Sequence, residues 1–181
     1  MGYPYDVTSL EAYNMQVGDL LLFYQQSPPV FSMANLVRLI TGSHYHHIAI
    51  VYSPPCGLIA ESMAEGFIVR KRLDLKELID KGWIHVFRPK KKLTNKERDA
   101  LICEIERRYQ RPYGFRDWFG LLFYYLFTNQ WIFPKSPKHM TCAEAVERVY
   151  RSIERSLVPS KNADAVTPGD QAKSKKLFRI V

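Results

Sequence analysis

Short apolar runs alternate along this chain with turn-forming residues, and two longer stretches carry helical periodicity. Leu20-Leu21-Leu22-Phe23 follows Gly18-Asp19 and reads as a strand entered from a turn, its unbroken apolar character placing it centrally in a sheet. His46 to Tyr52 is a second, β-branched strand; His47, Ala49 and Val51 share one face, while His46, Ile48, Ile50 and Tyr52 share the other. Ser53-Pro54-Pro55-Cys56-Gly57 turns the chain back into a strand from Leu58 to Ser62. Two registers of this hairpin are open. Tyr52 opposite Leu58 sets Ala49 against Glu61 with His47 diagonally beside it, and Tyr52 opposite Cys56 sets Glu61 directly against His47. Both bring the carboxylate next to His47. Only a slip by one residue would part them, and a half-buried strand resists such a slip.

Residues 67–73 and 83–88 extend a mostly antiparallel sheet, with one short helix over 74–81 between them and another over 31–41 ending at Gly42. Residues 94–109 form an amphipathic helix opened by a Thr94/Glu97 capping box. Its inward positions are Leu101, Ile102, Cys103, Ile105 and Tyr109, so Cys103 is expected in the core. Trp118 to Pro134 is uncharged and aromatic-rich. It falls short of the roughly 20 apolar residues that a spanning helix needs, which leaves a buried helix or pocket wall, or an interfacial membrane contact. Residues 161–170 read as a polar loop, and Leu177 to Val181 close the tail.

The helix opened by Thr141 is the informative one. Thr141 is a good N-cap and Glu144 completes the capping box, which puts Cys142 at the first helical position. Cys142, Val146, Val149, Ile153 and Leu157 then form one apolar stripe, so the thiol points toward a partner layer. A helix start offers free amide hydrogens and the positive end of the dipole, both of which favour a thiolate. A lone cysteine there is more often a small buried hydrophobe, and it becomes a candidate nucleophile only beside a base. Cysteine catalysis needs an imidazole to carry the proton and a third polar group to orient the ring. His47 and Glu61 are candidates for those two roles, and the backbone amide of Cys142 for part of an oxyanion hole.

The chain has 181 residues, enough for one domain with a core spanning about residues 17–170. Its 26 basic and 18 acidic residues leave a net charge of +8, which draws anionic partners such as lipid headgroups, cell-wall polymers or nucleic acid without choosing among them. Specific nucleic-acid binding is not expected. Lys90-Lys91-Lys92 and the cluster Lys173, Lys175, Lys176 and Arg179 read as solvated surface. Three cysteines, Cys56, Cys103 and Cys142, lack metal-type spacing and argue against a disulfide framework, so a reducing compartment is expected. The opening residues show no secretory signal, which points to the cytoplasm, although a chain trimmed of its signal would read the same.

The runs GDLLLF, TGSHYHHIAIVY, AES, RPYGF, TCAEAV and VTPGD, in this order, resemble the YiiX/YebB-like, circularly permuted branch of the NlpC-type papain-fold cysteine hydrolases. In that branch the histidine strand precedes the cysteine helix. The resemblance spans Val17 to Asp170 and implies an α+β, circularly permuted papain-like (NlpC-type) fold, a mostly antiparallel sheet packed against the helix that carries the cysteine. It implies Cys142 as nucleophile, His47 as base and Glu61 as the orienting residue, without a cofactor. The implied reaction is hydrolysis of a peptidoglycan-type peptide or isopeptide amide through an acyl-enzyme, with a peptide or cell-wall fragment as substrate. A lipid acyl hydrolase or acyltransferase of the lecithin retinol acyltransferase type is the alternative, since it shares the triad and would suit an anionic membrane surface. A non-catalytic binding protein on the same fold is a third reading. His46 departs from the pattern, because relatives carry a small or hydroxylic residue there. With His44 it raises a metal site as an alternative, yet no second cysteine or carboxylate lies at ligand spacing, and no metal is expected.

Overall fold

The structure, a computed structural model, describes residues 13–25, 35, 38, 39, 41–114 and 140–181. Six strands form one sheet: β1 (Leu20–Tyr24), β2 (Tyr45–Ser53), β3 (Leu58–Met63), β4 (Gly66–Lys71), β5 (Ile84–Pro89) and β6 (Leu177–Arg179). Their order is β4-β3-β2-β1-β5-β6, with every neighbouring pair antiparallel. The helices are α1 (Leu75–Asp80), α2 (Asn95–Arg107), α3 (Cys142–Ser152) and α4 (Pro168–Ala172), with a 3-10 turn at Ala163–Ala165. This is the expected α+β architecture with a mostly antiparallel sheet, and the pairing among these six strands is all antiparallel.

β1 lies between β2 and β5, so both of its edges are paired and both of its faces covered, which is why an unbroken apolar run suits it. The period-two alternation of the strands sorts the core into two layers. Leu20, Leu22, Ile48, Ile50 and Ala60 pack with Leu101 and Ile105 of α2 and with Val146, Val149 and Tyr150 of α3. Leu21, Phe23, Ala49, Val51, Ile59 and Val86 pack on the other face with Leu75 and Ile79 of α1. The sheet thus carries a thick helical layer on one side and a thin one on the other.

Both expected capping boxes are present, at Thr94/Glu97 on α2 and at Thr141/Glu144 on α3. Several other expectations need correction. Cys103 is exposed rather than core, and Tyr109 is half exposed, because α2 buries only the narrow stripe of Leu101 and Ile105. α3 stops at Ser152 and the chain turns at Glu154, which holds a left-handed φ of 60°. Leu157 is nevertheless buried, since the fully buried Glu147 carboxylate accepts the backbone N–H groups of Leu157 and Val158, each at 3.2 Å, and folds that return loop onto the helix. Within the expected loop 161–170, Thr167, Pro168 and Asp170 open α4 with a third capping box, and the tail adds β6 against β5. In the expected 31–41 helix, Asn35, Arg38, Leu39 and Thr41 are helical and the rest lies outside the described residues, as does the aromatic run from Trp118 to Pro134. No helix among the described residues is long and apolar enough to cross a membrane.

Gly18 fastens α3 to the sheet. Its φ of +90° is costly for any residue with a Cβ, and a Cβ there would come within 2.7 Å of Leu93 and 3.1 Å of the Tyr150 hydroxyl. That hydroxyl donates to the Gly18 carbonyl. Gly18→Ala is expected to destabilise the fold by about 2 kcal/mol or more, combining backbone strain with overpacking. Urea unfolding measures this, and a change within about 0.5 kcal/mol of zero would contradict it.

Candidate active site

The β2–β3 hairpin adopts the first of the two registers: Ala49 pairs with Glu61, and a bulge between Val51 and Ser53 absorbs the turn. His47 therefore lies diagonally next to Glu61, and its Nε2 sits 2.6 Å from Glu61 Oε2. The His47 side chain keeps 16% exposure and Glu61 has none. With Nε2 committed to Glu61, Nδ1 is the nitrogen left on the ring, and Cys142 is the group that, against burial, does most to favour its charged form.

Strand parity alone would not bring these two together. His47 has the parity of Ala49 and Val51, which pack on the α1 face, whereas Cys142 packs with Ile48 and Ile50 on the other. The β1–β2 ladder breaks register between Phe23 and Tyr24, next to the Phe23–His47 pair, and such a bulge bends a strand and re-aims its side chains. The chain entering α3 is pinned to β3, where the Ser62 hydroxyl donates to the Met140 carbonyl at 2.9 Å. α4 closes the other flank: Gln171 donates through its side-chain amide to the Ala143 carbonyl at 3.1 Å. A Cβ on Gly169 would lie 2.5 Å from the Ser43 side chain, so the backbone of α4 packs directly on that side chain at the approach to β2.

The electrostatics separate the two adjacent histidines. Burial drives the His47 ring toward neutrality, but the charge and hydrogen bond of Cys142, with those of Glu61, outweigh it and hold its pKa at about 9 against an ordinary 6.5. For His46 burial acts in the same direction as the nearby charges of His47 and Arg38, and its pKa falls to about 4. At neutral pH the first is an imidazolium and the second is neutral. Glu61 is pushed upward by burial, yet its bonds and charge contacts with His47 and Arg70 leave its carboxyl below the usual range.

Arg70 is the residue that sequence reasoning missed. Its Nε donates to Glu61 Oε1 at 2.6 Å, so each oxygen of the buried carboxylate has its own cationic partner. The available signal was strand parity: Ile68 faces Glu61 across β3 and β4, which sets Arg70 two residues along the same strand, on the same side.

No protein-family model matches the chain, and no curated protein matches it. Among solved structures, the crystal structure of the metalloprotein YiiX from Escherichia coli O157:H7 superposes with a TM-score of 0.66 at 18% identity, covering 92% of this chain and 96% of that one. The chain has the YiiX fold. The metal in that protein's description prompts a test of fit here. Arg70 occupies one Glu61 oxygen and His47 the other, while Arg38 lies 3.3 Å from His44 Nδ1 and bears on His46, so guanidinium charge stands where a cation would have to bind. The described residues hold no group of three His, Cys, Asp or Glu side chains able to cage an ion. Among the described residues, the donors at this site do not fit a divalent metal.

His47, protonated to about pH 9, sets a positive charge beside Cys142 across the neutral range. His47→Ala is therefore expected to slow iodoacetamide alkylation of Cys142, followed by peptide mass spectrometry, by about tenfold or more at pH 6. The two rates should converge above pH 9, where the ring is neutral in the parent protein too. Equal rates at pH 6 would contradict the pairing.

Proposed function

We propose that the chain is a cysteine hydrolase that cleaves an amide through an acyl-enzyme, with Cys142 as nucleophile, His47 as proton carrier and Glu61 orienting the ring. The supporting observation is the His47 ring held between Cys142 and Glu61 and kept protonated to about pH 9. In this reading the Cys142 thiolate attacks the carbonyl carbon, forming a C–S bond while the carbonyl oxygen becomes an oxyanion. The capping box occupies the Glu144 amide, and the Cys142 and Ala143 amides, which have no carbonyl four residues back within the helix, are the ones that receive that charge. His47 passes its proton to the leaving nitrogen as the C–N bond breaks, and the neutral ring then takes a proton from water, which attacks the thioester and releases the acid. Thiolate and imidazolium are restored.

The chain order, histidine strand and carboxylate before cysteine helix, together with a helix start packed on an antiparallel sheet, is what a circularly permuted papain-like fold would present. With it goes a peptidoglycan-type peptide or isopeptide as the substrate class.

Mass spectrometry of the intact chain, incubated with a panel of cell-wall peptides and short-chain phospholipids, tests this directly. The expected result is a transient mass increase equal to the acyl part of a peptide, absent in Cys142→Ala. Acylation by phospholipids alone would transfer the reading to lipid acyl groups. Turnover that survives Cys142→Ala, or no adduct and no turnover with any member, would overturn it.

A further inference from the structure

The end of α3 opposite Cys142 borders a recess of about 400 Å³, within the range of small-molecule sites. Its floor is apolar and firm: Leu93, Tyr150 and Leu157 line it and are all buried. Its rim is cationic. Lys90 and Lys91 come from the exit of β5, and Lys175 and Lys176 from the turn before β6. The Lys90 N–H donates to the Lys176 carbonyl at 2.8 Å, which locks these two segments side by side.

The charges on the rim are not all available. Arg155 is committed to Glu97 at 2.6 Å, and Lys176 Nζ donates to the Ser156 carbonyl at 2.7 Å. Lys90, Lys91 and Lys175 have no side-chain partner among the described residues, and the one acid on the rim is Glu154. A purely solvated surface would gain by spreading these lysines apart. Here they are gathered around a recess with an apolar floor, where their fields add. Separate ammonium groups approaching from two chain segments suit a tetrahedral, many-oxygen anion better than a planar carboxylate, which is matched by the fork of an arginine.

We propose that this recess is a binding site for a phosphate-bearing anion, the phosphate held by Lys90, Lys91 and Lys175 and the body of the ligand resting on Leu93 and Leu157. The site is separate from Cys142, and the inference does not depend on the proposed hydrolase activity. A soluble phosphate ester and an anionic lipid headgroup share this chemistry, and the length of the apolar body distinguishes them.

Isothermal titration of the full chain with pyrophosphate, with dihexanoyl phosphatidic acid and with zwitterionic dihexanoyl phosphatidylcholine tests the site. Binding of at least one of the two anions, weakened about tenfold or more in Lys90→Gln/Lys175→Gln but not in Lys71→Gln/Arg107→Gln, is the expected result. Tighter binding of phosphatidic acid assigns the recess to a lipid headgroup, and tighter binding of pyrophosphate to a soluble phosphate. Absence of binding by both anions, equal weakening in the two double variants, or equal affinity for phosphatidylcholine would overturn the proposal.

Discussion

The placement of one imidazole between a sulfur and a buried carboxylate is the constraint on which the rest of this structure depends. Glu61 is wholly buried, and a carboxylate in that position costs several kcal/mol unless both oxygens are satisfied by well-placed partners. His47 takes one oxygen and Arg70 the other, each at 2.6 Å. With Cys142 also beside the ring, the four groups form a row, Cys142, His47, Glu61 and Arg70, in which the carboxylate sits between two cations.

The fold supplies that row from four separate elements. β2, β3 and β4 are successive antiparallel neighbours, so His47, Glu61 and Arg70 follow one another across the sheet in the order in which the strands pair. The sulfur arrives from outside the sheet. α3 is tied down at its start by Ser62 on the Met140 carbonyl, along its length by Val146 and Val149, and at its far end by Tyr150 on Gly18. The bulge next to His47 reconciles a helix on one face of the sheet with a histidine of the opposite parity. The His47 side chain there keeps 16% exposure.

Much of this was legible from residue pattern. The apolar run of β1, the histidine strand and its hairpin partner, and the two threonine–glutamate boxes each have local causes that act within a few residues, and each occurs where those causes put it. The His47–Glu61 contact was readable because strand pairing sets the two side by side in either register, whereas strand parity points His47 away from the layer that holds Cys142. Arg70 was overlooked since an arginine in FIVRKR looks solvated until the third strand is paired. Cys103 was misplaced because helical periodicity names a face without stating how much of it is covered. α4 and β6 depend on tertiary docking, through Gly169 against Ser43 and the tail against β5, which short polar segments do not announce.

The charge state of His47 tests the central claim most directly. Nitrogen-15 NMR of the histidine side chains, followed from pH 5 to 11, should show both ring nitrogens of His47 protonated at neutral pH and titrating near 9, with the midpoint falling once Cys142 is replaced by alanine. A His47 ring that titrates near 6.5, with or without the sulfur, would contradict it.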